Sequence, residues 1–130
     1  MELTSRADTI VNLMGLSNSR ESYAMDLSYG QQRQLEMAMA LAMEPKILLL
    51  DEPMAGMGHA ESSTMVDLLK KLKGEYAILL VEHDMDVVFS LADRISVLFY
   101  GKVIYCGEPA AARTDPQVRE AYLGDEEIAA

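Results

Sequence analysis

Tryptophan is missing from the chain, and cysteine occurs once, as Cys106. A single cysteine cannot close an internal disulfide, so the fold must hold without one, which is compatible with a reducing compartment. Basic residues are scarce: 11 Lys and Arg stand against 21 Asp and Glu, a formal net charge of -10. With no Lys/Arg patch to neutralise phosphates, the balance argues against a nucleic-acid-binding surface. No apolar run approaches the roughly 20 residues needed to span a bilayer, and no signal peptide opens the chain. No internal repeat or low-complexity segment breaks the pattern. From these absences the expectation is a soluble, cytoplasmic protein.

What is present is ordinary for a globular domain. Half the residues are hydrophobic and a quarter charged, too apolar for a disordered chain. At 130 residues the chain has the size of one domain and can bury a real core. Ten methionines are plausible core fillers.

The stretch around which the chain is organised is Ile47-Leu48-Leu49-Leu50-Asp51-Glu52-Pro53. Four aliphatic residues in a row, without polar alternation, predict a strand buried on both faces, as in a parallel sheet covered by helices. Pro53 stops the strand just after two carboxylates. Open α/β sheets bind ligands beyond the carboxyl ends of their strands, so Asp51 and Glu52 are delivered to the chemical edge. An adjacent acidic pair suits a divided task, one carboxylate holding a divalent cation and the other activating water. The pair could also simply end a strand and cap the next element.

Around this stretch the pattern alternates. A helix is predicted over residues 5–14, with Gly15 as its stop, followed by a loop over 16–22. Ser28 and Gln31 form a capping box for a helix from Gln31 to Met43, with Leu35, Met39 and Ala42 along its apolar stripe and Met43 beside it. Residues 54–59 read as a flexible loop. Met65, Leu68, Leu69 and Leu72 then follow the i, i+3, i+4, i+7 pattern, with lysines in the last turn and Gly74 after it. A second buried strand is predicted over 76–81, with Glu82-His83-Asp84 at its end. A helix over Met85, Val88, Phe89 and Ala92 leads to strand 94–100. A Gly101-Lys102 turn then forms a hairpin with Val103–Cys106. Beyond Pro109 come a short helix, a second from Pro116 to Tyr122, and an acidic end expected to fray.

Strand, helix, strand, helix, strand gives an α/β class with at least two parallel strands. The right-handed crossover rule brings the ends of strands 47–50 and 76–81 to one edge, placing His83 near Asp51 and Glu52. The Ser28-to-Gln31 turn adds a hydroxyl, an exposed glycine amide and the positive end of a helix dipole, the parts of a phosphate cradle. Taken alone, that tetrapeptide reads as a plain capping box.

Leu27-Ser28-Tyr29-Gly30-Gln31, Ile47–Pro53 and Glu82-His83 together resemble, in order and spacing, three motifs of the ATP-binding-cassette ATPases. These are the signature motif, the Walker B strand with its glutamate, and the switch histidine. The Tyr29 variant, the loop Met54-Ala55-Gly56-Met57 and the ending Ala121-Tyr122-Leu123-Gly124 resemble the ATP-binding subunits of branched-chain amino-acid importers.

The resemblance implies a part of the P-loop NTPase (RecA-like) core, parallel strands flanked by helices, with part of the helical subdomain and a C-terminal β-hairpin. Residues 1–44 would be the helical part, 45–112 the core part and 113–130 the C-terminal helix and acidic tail. ATP and Mg²⁺ would be the cofactors. Asp51 would hold Mg²⁺, Glu52 would orient or deprotonate the attacking water, and His83 would contact the γ-phosphate. Ser28, Gly30 and Gln31 would cradle the ATP of the opposite subunit in a head-to-tail dimer. The loop Ala55–Gly58 would link the two sites, although Gly58 stands where the family usually has an acid or asparagine. Permease subunits would hold the protein at the inner face of the membrane and, with binding-protein partners, choose the solute.

No G-x-x-x-x-G-K-[S/T] segment occurs in these residues, so the P-loop that would hold the β- and γ-phosphates is absent from them. The base-stacking aromatic and glutamine loop of the family are absent too. The sequence therefore looks like the downstream half of such an ATPase. Alternatives are a non-catalytic remnant donating only its signature motif, or a cassette ATPase of soluble work. A half-domain also predicts a strand pair with an open aliphatic edge at Ile78–Val81, and a 94–106 hairpin detached from that pair or collapsed against it.

Overall fold

The computed structural model describes residues 2–123, and the chain divides into two compact units, Met1–Val81 and Glu82–Ala130. Gly124 and the acidic end lie outside the described residues. The first unit contains α1 (Glu2–Leu13), α2 (Tyr29–Ala42), β1 (Ile47–Asp51), α3 (His59–Leu72) and β2 (Ala77–Val81). Its buried side chains include Met14, Met37, Ala38, Leu41, Leu48, Met65, Leu68, Leu69 and Leu72. The stripe read on α3 is the one that is buried. Each leucine of that stripe contributes roughly 1.5–3 kcal/mol by leaving water.

On α2 the buried face differs from the predicted stripe. Met37, Ala38 and Leu41 are buried, whereas Met39 and Met43 are 65% and 82% exposed. Methionine and alanine occur all round this helix, so several phases of a 3.6-residue period fit the sequence equally well. The face turned to α3 and α1 decides among them. Arg6 closes the far end of α2, donating to the Ala42 carbonyl at 3.0 Å and pairing with Glu44 at 2.7 Å.

β1 and β2 pair in parallel, Ile47 opposite Ala77 through Asp51 opposite Val81. The predicted parallel pairing across the α3 crossover is therefore present. The expectation of strands buried on both faces is corrected. Leu48 is 3% exposed, but its neighbours Ile47 and Leu49, which point the other way, are 59% and 72% exposed. Within the unit, helices cover one face of this two-stranded sheet and leave the other bare. On β2, Leu79 and Val81 are likewise exposed. Its outer edge carries no strand among the described residues, as a half-domain requires.

The second unit contains α4 (Met85–Leu91), β3 (Ile95–Phe99), β4 (Lys102–Gly107), α5 (Pro109–Thr114) and α6 (Pro116–Val118), which continues as a π-helical turn to Leu123. Asp84 caps α4, accepting from the amides of Asp86 and Val87. β3 and β4 form an antiparallel sheet of their own, separate from β1–β2. Their turn is Tyr100-Gly101 rather than Gly101-Lys102. Both residues have positive φ, 47° and 74°, which makes a type I′ turn and leaves Lys102 free to pair with Phe99. Ile95, Val97, Ala112 and Val118 form the core of this unit.

Candidate functional site

Asp51 is the last residue of β1, level with Val81 at the end of β2, and its carboxylate is exposed. Glu52 carries the ladder one bond further, its N–H donating to the Val81 carbonyl at 2.8 Å. Its φ is 44°, in the left-handed region that costs a non-glycine residue about 1–2 kcal/mol. The bend turns the chain out of the strand immediately after the acidic pair. Non-glycine residues held this way cluster where function needs a side chain aimed off the regular path. Among the described residues, no group of three or more His, Cys, Asp and Glu is placed to hold a metal by itself.

Ser28 is the N-cap of α2, and the predicted capping box is present in full. The Gln31 N–H donates to Ser28 Oγ at 3.2 Å, and Gln31 Oε1 accepts from the Ser28 N–H at 3.0 Å. The Gln31 side chain also donates to Ser19 Oγ at 3.1 Å. Ser28 is exposed, and a hydroxyl that caps by accepting still has its own proton to donate.

The glycine amide expected to be exposed is not. Gly30 is buried, and its N–H donates to Glu61 Oε1 at 3.3 Å. A cleft of about 350 Å³ lies here, lined by Ser28, Gly30, Gln31 and Gln34 of the α2 start and by Glu61 and Thr64 of α3. Sequence reading missed Glu61. Its only signal is an acid in the first turn of a helix, which reads as ordinary dipole compensation. Arg33 was missed as well; it donates to the Tyr29 hydroxyl and to Glu36, and these bonds hold its guanidinium pKa above the ordinary value.

His83 is exposed, two residues beyond β2 and one before the cap of α4, in the second unit. The described geometry thus gathers Ser28, Gly30 and Gln31 in one turn and Asp51 with Glu52 at one strand end.

Residues 2–55 match the family model described as ABC transporter, and residues 102–128 match that of the branched-chain amino acid ATP-binding cassette transporter. The chain belongs to the ATP-binding-cassette ATPases. The high-affinity branched-chain amino acid transport ATP-binding protein LivG of Escherichia coli is 39% identical over 126 residues, 95% of this chain and 49% of its own length. BraF of Pseudomonas aeruginosa, described in the same terms, is 42% identical over 117 residues, 88% of this chain and 45% of its own. The lipopolysaccharide export system ATP-binding protein LptB of Acidithiobacillus ferridurans is 32% identical, covering 97% and 53%. Among solved structures, the ADP conformation of an ATP-binding cassette of an ABC transporter superposes with a TM-score of 0.83 at 31% identity, covering 96% of this chain and 51% of that one. The cassette fold is therefore that of the P-loop NTPases. The chain spans about half the length of the curated relatives it matches. No described helix of the cassette is long and apolar enough to cross a membrane.

Proposed function

We propose that these residues are the downstream half of an ATP-binding subunit that couples ATP hydrolysis to solute import, with branched-chain amino acids as the cargo. The observation that carries the reading is the acidic pair at the carboxyl end of a parallel strand, in a chain whose signature turn is intact. The cargo rests on the model matching residues 102–128 and on the names of LivG and BraF. Other relatives are named for polyamine import and lipopolysaccharide export, so the solute is the finer part of the proposal.

Asp51 is the residue proposed to hold Mg²⁺. A cation of this kind takes one or two protein carboxylates and fills its remaining positions with substrate phosphate and water, and the exposed carboxylate of Asp51 fits that role. When bound, the ion neutralises charge on the phosphates. Glu52 orients or deprotonates the attacking water from its bent position. His83 contacts the γ-phosphate. Ser28, with its free hydroxyl proton, works with Gly30 and Gln31 at the positive end of α2 on the ATP of the opposite subunit. Catalysis of this kind is largely positioning and electrostatics, so half a site accomplishes little. A second ATP-binding subunit and permease subunits are the proposed partners, and the inner face of the membrane is the proposed location.

The test is Glu52→Gln in a complete cassette containing these residues. ATP binding is expected to persist while hydrolysis is lost and an ATP-bound dimer accumulates. Near-normal turnover would remove Glu52 from its role.

A further inference from the structure

Two consecutive residues at the start of α2 reach both ends of one short segment. The Gly30 N–H donates to Glu61 in the first turn of α3. A Cβ at position 30 would lie 2.8 Å from Glu61 Oε1 and 2.9 Å from its Cδ, so alanine there would push the carboxylate aside. Separately, the Tyr29 ring lies against Gly56, where an added Cβ would meet Cε1 at 3.4 Å and the hydroxyl oxygen at 3.5 Å. Gly56 has a φ of +78°, which also favours glycine. The Tyr29 hydroxyl is fixed by Arg33, which donates to it at 2.8 Å and 3.2 Å. Residues 53–58 join the acidic pair to α3, so Gly56 lies within that connection and Glu61 just beyond it.

We propose that Glu61 is a positioning residue which, with Tyr29 as a second tie, couples the signature turn to the segment following Glu52 within one chain. The inference rests on the reading of Ser28–Gln31 as the turn that meets phosphate. Gly30 has one N–H, and Glu61 already holds it. A phosphate that takes that proton must displace the Glu61 carboxylate, which ties the turn to the start of α3. Movement of the segment after Glu52 would in turn expose or cover the Gly30 amide.

The test is amide hydrogen exchange and chemical shift in the ¹⁵N-labelled 130-residue chain. The first amides of a helix have no intrahelical acceptor, so Gly30 should be protected only through Glu61. Glu61→Ala should speed its exchange roughly tenfold and shift the amides of Gly56 and Met57. Glu61→Gln, which keeps an acceptor oxygen, should hold exchange within about threefold of the unsubstituted chain. Gly30→Ala pushes the carboxylate away without removing it, and should reproduce the shifts at Gly56 and Met57. If Glu61→Ala does not fold, Gly30→Ala and the unsubstituted chain still decide. A Gly30 amide unprotected in the unsubstituted chain would overturn the proposal. So would Glu61→Ala or Gly30→Ala that leaves residues 56–58 unmoved. These readouts need no nucleotide, so the ATP reading can fail in turnover assays while they stand.

Discussion

Ser28 has two roles that one pair of substitutions can separate. As the N-cap of α2 its Oγ accepts from the Gln31 amide, and as an exposed hydroxyl it is proposed to donate to phosphate. Ser28→Ala removes both roles but leaves the reciprocal bond from the Ser28 N–H to Gln31 Oε1. Loss of a serine cap costs about 1 kcal/mol, within a range of roughly 0.5–2. With a urea dependence of about 1–3 kcal/mol per molar, the unfolding midpoint should fall by roughly 0.3–1 M. Ser28→Asp should behave differently. Aspartate caps as well as serine and places its charge at the positive end of a 14-residue helix. Its midpoint should stay within about 0.3 M of the unsubstituted chain. In a complete cassette, however, the same carboxylate would repel the incoming γ-phosphate and turnover should collapse. The assays are urea titration by far-ultraviolet circular dichroism and steady-state ATP hydrolysis. Equal destabilisation by alanine and aspartate would refute the capping argument, and full activity with aspartate would refute the phosphate role.

Four further substitutions test the strained bend, the core and the surroundings of Cys106. Glu52→Asn should unfold at a higher urea midpoint than Glu52→Gln, because both lose the carboxylate but asparagine tolerates the left-handed backbone that costs a longer side chain about 1 kcal/mol; equal midpoints would remove the strain argument. Leu72→Ala, at a position 1% exposed, should destabilise the first unit by about 2–5 kcal/mol in the same titration, and a loss under about 1 kcal/mol would contradict its placement. The Cys106 thiol is held by Ser96 and Arg94, which lower its pKa. Its thiolate therefore forms at lower pH in the folded than in the unfolded chain, and the stabilisation linked to it is lost as pH falls through the folded value. The pH profile of alkylation should move to higher pH in Ser96→Ala and in Arg94→Ala, and identical profiles would show that neither contact is formed.

Most of the architecture was legible because its signals were local. The α3 stripe, the Ser28–Gln31 box and the strand that ends at Asp51 each depend on residues within a few positions of one another. The errors arose where a neighbour decided. β1 reads as a strand covered twice because its four aliphatics carry no polar alternation, yet its Ile47 and Leu49 face is bare in this unit. An aliphatic run records what a strand needs to be covered by, and the described residues of the first unit leave one face of it bare. The phase of α2 was lost because methionine and alanine leave every face equally apolar. The hairpin turn moved by one residue because tyrosine at positive φ has no sequence signature. Glu61 escaped notice because its partner is a backbone amide 31 positions away, a pairing that only the packing of α2 on α3 creates.

The central claim is that Asp51, Glu52 and His83 are half of an ATP site whose phosphate-holding loop lies outside these residues. The direct measurement is Mg²⁺-dependent ATP hydrolysis by this chain alone and by the chain joined to a P-loop-bearing upstream half of a cassette. The account predicts no turnover alone, turnover when joined, and its loss on Glu52→Gln. Turnover by the chain alone that disappears with Glu52→Gln, or turnover by the joined cassette that survives it, would contradict the account.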